Sequence, residues 1–207
     1  MDTDFSVKNI RNILTEKGLG KCREQFFWAL NPFNNGLPSK IIKLENKTVD
    51  AQRKEASMDE KKWGNNQINQ SNNGNWTTLL GEGMVEIFLK LHGLHPHKPH
   101  KKEGCSYEVD WECERYMVEV KTRNWTTSGT AGEKVLGTMY KYADIPIIYD
   151  KPLKIVCIAY QEYELTHCTT KIFNTNSTRQ QKILDLAKTF DIEYIRFSDL
   201  IMGNYLL

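Results

Sequence analysis

The chain lacks any hydrophobic run long enough to cross a membrane, and its first ten residues, MDTDFSVKNI, are too polar for a secretory signal. Its 28 basic and 26 acidic side chains nearly cancel, so bulk charge alone does not demand a nucleic-acid partner. Its five cysteines are scattered and odd in number, unlike a disulfide framework or a zinc finger. We therefore expect an intracellular, cytoplasmic protein with reduced thiols and no membrane partner.

What the sequence does contain is the composition of an ordinary globular domain. Hydrophobic residues make up 40% and charged residues 26% of the 207 positions, enough for a single domain with a substantial core. We divide this domain into a helical amino-terminal extension over residues 1–76, a core over residues 77–160, and a carboxy-terminal helix and strand over residues 161–207.

The core and the carboxy-terminal part predict alternating helices and strands. The spacing of apolar residues indicates a helix over Thr77–His92 and another near Thr178–Phe190. Residues 107–123 alternate like a β-hairpin, and the apolar run PLKIVCIAY at 152–160 is typical of a buried central strand. With a last strand in IEYIRF, this order predicts an α/β fold with a mixed β-sheet flanked by helices.

Charged residues occur in the predicted hairpin where strand residues are usually apolar. Alternate residues of a strand share a face, so Glu119 and Lys121 lie on the same side of the second strand. If the two strands pair, Asp110 of the first strand comes near both of them. Val109 and Trp111 then pack on the side opposite Asp110. The same alternation is also compatible with a solvated face held by salt bridges.

The helix before the hairpin adds two further carboxylates. Glu82 and Glu86 lie one turn apart on one face, and Gly93 is placed to end the helix. Each glutamate is also compatible with an ordinary exposed helix position.

These residues resemble the PD-(D/E)XK nuclease superfamily, and most of all its type II restriction endonucleases. The resemblance rests on Asp110, eight intervening residues and the triplet Glu119-Val120-Lys121 on a predicted strand, with an acidic helix upstream and a helix and strand downstream. It covers about residues 77–160, and Val109 stands where the family often has proline. It implies a restriction-endonuclease-like core and a host that is a bacterium or a virus-infected cell.

The resemblance also implies a metal centre. Asp110 and Glu119 would bind Mg²⁺, or Mn²⁺ as a substitute, and the Val120 carbonyl would complete the shell. Hard divalent cations prefer oxygen ligands, and they stabilise the attacking and leaving oxygens of a phosphodiester. Lys121 would orient or deprotonate the attacking water and stabilise charge on the phosphorus. Glu86, or with less preference Glu82, would hold a second metal or a metal-bound water.

The residues that follow the triplet are candidates for DNA contacts. Hydroxyl, amide and basic side chains near a helix start suit phosphate oxygens. The candidates of this kind are Arg123, Asn124, Thr127, Ser128, Thr130 and Lys134. Ser128 or Thr130 is equally suited to cap the helix that follows.

Two further segments have open interpretations. The amide-rich residues 64–75, GNNQINQSNNGN, are either a flexible loop or a DNA-contacting loop in which Asn66 and Gln67 pair with adenine edges. Four histidines crowd into residues 92–100, with Cys105 nearby, which admits a zinc site. The prolines and lysines around them indicate instead an exposed basic loop that offers positive charge to phosphates.

Three functions remain. The first is a Mg²⁺-dependent endonuclease that cuts double-stranded DNA at a specific sequence, has no small-molecule substrate, and normally acts as a homodimer because two sites cut two strands. The second is a structure-specific or repair nuclease, such as a junction resolvase or nickase. The third is a catalytically inactive DNA-binding module. The intact Asp110, Glu119 and Lys121 argue against the third, and the amino-terminal extension with its amide-rich segment favours the first over the second.

Overall fold

The protein is described here by a computed structural model that covers residues 7–30, 50–126, 131–168 and 171–205. Its α-helices are, in chain order, α1 Val7–Glu16, α2 Arg23–Leu30, α3 Asp50–Gln67, α4 Trp76–Leu91, α5 Ala131–Lys141, α6 Ile145–Tyr149, α7 Tyr160–His167, α8 Thr178–Thr189 and α9 Phe197–Met202. Its strands are β1 Trp111–Glu112, β2 Met117–Arg123, β3 Leu153–Ala159 and β4 Ile192–Arg196. A 3₁₀ turn at Gly20–Cys22 connects α1 and α2.

The four strands form one mixed sheet in the order β1-β2-β3-β4. β1 pairs antiparallel with β2, and Trp111 lies opposite Val118. β2 and β3 are parallel, as are β3 and β4. Every residue of β3 except Lys154 is buried, which confirms the central strand predicted from its apolar run. The predicted α/β fold with a mixed, helix-flanked sheet is therefore confirmed.

Two hydrophobic cores lie on opposite faces of the sheet, and the side chains of β2 alternate between them. Val118 and Val120 belong to the core that includes buried residues of α1, α2, α4 and α9. Met117 belongs to the second core, with buried residues of α5, α6, α7 and α8. The period of two along β2 thus holds as the sequence predicts.

Helix α4 packs directly on β2 because Gly81 has no side chain. A Cβ atom at Gly81 would lie 1.8 Å from Thr122 Oγ1, far closer than van der Waals contact. This close approach sets Glu82, the next residue, beside the hairpin. The helix ends at Leu91, and Gly93 follows it with φ +74°, a left-handed conformation that suits glycine.

All five cysteines are free thiols. Among the described residues, no helix has both the length and the apolar character that a membrane span requires.

Candidate active site

The hairpin brings the three charged residues of the sequence pattern together. Lys121 Nζ forms an ion pair with Glu119 Oε1 on β2. Asp110 Oδ2 accepts a hydrogen bond of 2.7 Å from the backbone N–H of Val120, which holds the aspartate against the middle of the same strand. Two carboxylates and an ammonium group therefore share one end of the hairpin.

The packing around Asp110 differs from the prediction in one respect. Val109 is buried in the core that contains Met117, whereas Trp111 is buried in the other core. The expectation that Val109 and Trp111 pack together is therefore wrong. The reason is that β1 begins only at Trp111, while Asp110 occupies a bend, so strand alternation does not extend back to Val109.

One oxygen of the Glu119 carboxylate accepts hydrogen bonds, and the other accepts none among the described residues. Oε1 accepts hydrogen bonds from Lys121 Nζ and, at 3.0 Å, from the hydroxyl of Tyr142, the residue that follows α5. Oε2 is buried and has no hydrogen-bond partner among the described residues. A buried carboxylate oxygen without a partner costs stability, and a bound cation would satisfy it.

Burial and neighbouring charge change the acidities in this site. Burial, and then repulsion by Glu119, raise the pKa of Asp110 to about 7, while the Val120 N–H and Lys121 oppose that rise. The pKa of Tyr142 is raised well above its usual range by burial and then by Glu119. Tyr142 therefore stays a hydrogen-bond donor to Glu119 at neutral pH.

The two helix glutamates lie in different surroundings. The charge of Glu82 contributes to the raised pKa of Asp110, and its backbone oxygen accepts a 3.2 Å hydrogen bond from the Trp111 indole. Glu86 instead forms an ion pair of 2.6 Å with Lys90, one turn further along α4. The structure thus sets Glu82 beside Asp110, although the resemblance alone gave preference to Glu86.

The donor set fits a hard divalent cation with few protein ligands. Across the described ranges, no group of three or more His, Cys, Asp and Glu side chains is arranged to hold a metal ion. Mg²⁺, however, usually keeps several waters and binds one or two carboxylates together with substrate phosphates. Asp110, the open oxygen of Glu119 and the Val120 carbonyl match that smaller requirement.

The histidine-rich loop gives no support to a zinc site in the part of the chain that is described. His95 Nδ1 lies 2.5 Å from a carboxylate oxygen of Glu114, and His97 Nε2 lies 3.9 Å from Glu112. Cys105 is buried, with its thiol donating to the backbone oxygen of Tyr107. These side chains face different partners rather than a common point.

Two of the predicted DNA-contacting residues after the triplet, Arg123 and Asn124, make contacts inside the protein. Arg123 is only 5% exposed and forms a 2.5 Å ion pair with Glu164 of α7. Asn124 donates to Thr126 Oγ1 at 3.0 Å. These internal contacts speak against direct contacts from Arg123 and Asn124 to phosphate. Lys134 is exposed on α5.

Thr127, Ser128 and Thr130 lie outside the described residues. Their predicted contacts with DNA, and the alternative that one of them caps a helix, stay predictions.

The amide-rich segment begins as ordered helix rather than as a loop. α3 continues to Gln67, and the Asn65 side chain is buried, donating to Lys61 O at 2.9 Å and accepting from Asn73 N at 2.5 Å. Both interpretations placed a loop here, so the loop is wrong for residues 64–67, and the DNA contacts of Asn66 and Gln67 stay a prediction. Asn66 is exposed in the last turn of α3, and Gln67 is half-buried.

Sequence reasoning missed a buried carboxylate that anchors the chain after β2. Glu60 of α3 is 0% exposed. Its Oε1 accepts from the Trp28 indole at 2.9 Å and from Trp125 N at 2.9 Å, and its Oε2 accepts from Thr126 N at 3.0 Å and from Thr126 Oγ1 at 2.6 Å. The available signal was its position four residues after Ala56, which is also buried, and four before Gly64, on one face of a helix.

Comparisons with protein-family models, with curated proteins and with solved structures find no match to this chain.

Proposed function

We propose that this protein is a metal-dependent endonuclease that hydrolyses phosphodiester bonds in double-stranded DNA at a specific sequence, in the manner of type II restriction endonucleases. The observation that carries the proposal is the Glu119 carboxylate, buried beside Asp110 and paired with Lys121, with one oxygen lacking a partner among the described residues. A purely structural carboxylate at such a buried position is expected to have both oxygens satisfied.

Each residue of the site has a role in this proposal. Asp110 and Glu119, with the Val120 carbonyl, hold Mg²⁺ or Mn²⁺, which supplies a Lewis acid at the phosphate oxygens. Lys121 orients the attacking water or takes its proton, and its charge stabilises the negative charge that develops on the phosphate. Tyr142 fixes Oε1 of Glu119, so that Oε2 keeps one orientation. Glu82 is the helix carboxylate that binds a second metal or a metal-bound water.

The proposal extends to the assembly. Cleavage of both strands of a duplex requires two active sites, and a homodimer with two-fold symmetry matches a palindromic target. Exposed Asn66 and half-buried Gln67 at the end of α3 are then candidate base-reading side chains, since amide groups can form paired contacts with adenine.

A plasmid digestion tests this function. The purified protein is incubated with supercoiled plasmid in Mg²⁺, Mn²⁺ or EDTA, and the products are separated on a gel. Discrete linear bands that require the metal support a sequence-specific endonuclease, and nicked circles point to a nickase. Intact plasmid in Mg²⁺ and in Mn²⁺ would overturn the proposal.

A pair of variants links the result to the site. Glu119→Gln keeps the shape of the side chain but removes the charge, so we expect no cleavage. Glu24→Gln, an exposed glutamate on α2, is the matched control and should cut like the wild type.

A further inference from the structure

The segment His95–Lys102, which we call the basic segment, is fixed to the edge of the sheet beside the candidate active site. His97 exchanges two backbone hydrogen bonds, of 3.0 and 2.8 Å, with Glu112 of β1. At the other end, the Tyr149 hydroxyl donates to His100 O at 3.0 Å, and Lys102 Nζ donates to Ile148 O at 2.9 Å. The backbone of the segment is thus held at both ends, although it has no regular secondary structure.

Three lysines give this segment positive charge on the surface. Lys98, Lys101 and Lys102 are all exposed, as are the imidazoles of His95, His97 and His100 between and beside them. The chain as a whole has a net charge of only +2, so this surface is a local feature rather than a consequence of overall composition.

Lys98 connects the basic segment to the acidic site. Its Nζ lies 2.9 Å from Glu82 Oε2 and 4.2 Å from the ring centroid of Trp111. The Lys98 side chain is nevertheless 59% exposed, so its ammonium group is open to solvent at the border of the site. Glu82 in turn acts on Asp110, whose pKa it helps to raise. The Lys98 ammonium group therefore contacts Glu82, and Glu82 is a neighbour of the proposed metal ligand Asp110.

We propose that the basic segment binds the phosphate backbone of DNA and that Lys98 contacts a phosphate next to the one that is cleaved; this inference rests on the function proposed above. A DNA strand carries regularly spaced charges, so one strand spans both the basic segment and the metal ligands. The carboxylates of Asp110, Glu119 and Glu82 repel any anion, so a phosphodiester fits this place because the proposed metal ion would bridge it to them. The side chains of an acidic protein surface lack the regular charge spacing that would reach the lysines of the basic segment at the same time.

The anchored backbone adds to this fit. Binding that orders little of the protein loses little conformational entropy, so a segment held by Glu112, Tyr149 and Ile148 can use its charges efficiently. The Lys98 side chain is 59% exposed, so its ammonium group can exchange Glu82 for a phosphate oxygen. The Glu82 side chain is only 15% exposed, and the proposed second metal or metal-bound water would then compensate its charge.

The test is a measurement of DNA binding as a function of salt. A fluorescein-labelled 20-base-pair duplex that contains a cleaved site is titrated with full-length protein, and anisotropy is recorded with Ca²⁺ in place of Mg²⁺. The variant is Lys98→Gln with Lys101→Gln. The matched control is Lys8→Gln with Lys182→Gln, two exposed lysines on α1 and α8. Lys98→Arg keeps the charge and tests whether charge is what matters.

Each phosphate contact that is lost lowers the slope of log affinity against log salt by about 0.9. We therefore expect the slope of the Lys98/Lys101 variant to fall by about 1 to 2, with affinity reduced about tenfold or more at low salt. The control variant and Lys98→Arg should keep the wild-type slope. Circular dichroism spectra like that of the wild type exclude loss of fold as the cause.

Two results would overturn the inference, and they differ. If the Lys98/Lys101 variant binds with wild-type slope and affinity while the wild type still cleaves DNA, the basic segment is not a phosphate surface and the nuclease proposal stands. If the wild type neither binds the duplex nor cleaves plasmid, both proposals fail together.

Discussion

Glu60 and Glu119 are both buried glutamates, but the hydrogen bonding of the Glu60 carboxylate is complete and that of the Glu119 carboxylate is not. Glu60 accepts hydrogen bonds at both oxygens, from groups on α2 and on the chain after β2. Glu119 accepts at Oε1 only, lies beside a second carboxylate, and has an open Oε2 among the described residues. Burial alone therefore does not distinguish the two; the completeness of their hydrogen bonding does.

The hydrogen bonding of a buried carboxylate distinguishes one that holds segments together from one that is a candidate cation ligand. A fully bonded carboxylate such as Glu60 holds segments together, and nothing further is needed to stabilise its charge. A carboxylate that is buried next to another, with an oxygen left over, is unfavourable until a cation binds it. Stability and activity should therefore respond in opposite directions at these two places.

The largest expected effect is on catalysis, at the Glu119 side of the comparison. Asp110→Ala, Glu119→Ala and Lys121→Ala should each reduce the plasmid cleavage rate by more than about 10³-fold, or about 4 kcal/mol of transition-state stabilisation. Thermal unfolding in EDTA should show melting temperatures at or above that of the wild type for Asp110→Ala and Glu119→Ala, because each removes one of two repelling carboxylates. Cleavage at the wild-type rate by Lys121→Ala would remove Lys121 from the mechanism.

Glu60→Ala is expected to have the largest effect on folding. It removes the acceptor of the buried Trp28 indole and of the Thr126 N–H and hydroxyl, and it removes the Trp125 N–H bond, so we expect a loss of about 3–5 kcal/mol in the free energy of unfolding. Urea unfolding followed by circular dichroism measures this. Glu60→Gln keeps an acceptor oxygen and should lose less. If Glu60→Ala unfolds at the wild-type urea concentration, its hydrogen bonds do not stabilise the fold and the comparison breaks down.

Binding of Mg²⁺ at the Glu119 site should stabilise the folded protein by a moderate amount. Mg²⁺ at 100 times its dissociation constant stabilises a folded protein by about 2.7 kcal/mol, provided that it does not bind the unfolded chain. We expect Mg²⁺ to raise the melting temperature of the wild type and of Glu24→Gln. In Asp110→Asn the rise should disappear. A rise of equal size in Asp110→Asn would place the metal elsewhere.

Stability in the absence of metal should also depend on pH. Burial raises the pKa of Asp110 to about 7 from its usual value of 3.8, so between these two values the folded state holds more protons than the unfolded state. Stability should therefore fall as pH rises from about 4 to about 7, by at most about 1.4 kcal/mol per pH unit for this one group.

Glu162 contributes in the same direction, because burial raises its pKa to about 7 as well. Asp110→Asn should flatten part of the slope in EDTA, and Glu162→Gln should flatten another part. A slope unchanged by Asp110→Asn would mean that Asp110 is ionised throughout this range.

The parts of the fold that sequence could predict are those with short-range signals. The helix that ends before Gly93, the hairpin and the buried strand β3 each carry a period of 3.6 or 2, or an unbroken apolar run, within a few residues. Asp110, Glu119 and Lys121 lie on the two sides of one hairpin. Their positions in the chain therefore suffice to predict that they are close in the fold. Strand alternation does not extend past the bend at Asp110, so the prediction that Val109 and Trp111 share a side was wrong.

The partners of the site could not be predicted because they come from distant segments. Glu60 binds a backbone N–H 65 residues away, Tyr142 binds a carboxylate 23 residues away, and Lys98 binds one 16 residues away. No local period encodes such pairs. The choice between Glu82 and Glu86 likewise depends on where Gly81 lets α4 approach β2, which only tertiary packing fixes.

The indole of Trp111 gives the candidate site an optical reporter of its own. Its N–H donates to the Glu82 backbone oxygen, and the Lys98 ammonium lies over its ring. Indole emission depends on the electric field across the ring, so moving the Lys98 charge to a phosphate shifts the spectrum. The rings of Trp63 and Trp76 each lie 5.8 Å from that of Trp28, in a separate aromatic group. Difference spectra between the wild type and Trp111→Phe therefore isolate the response of the site, without any attached dye.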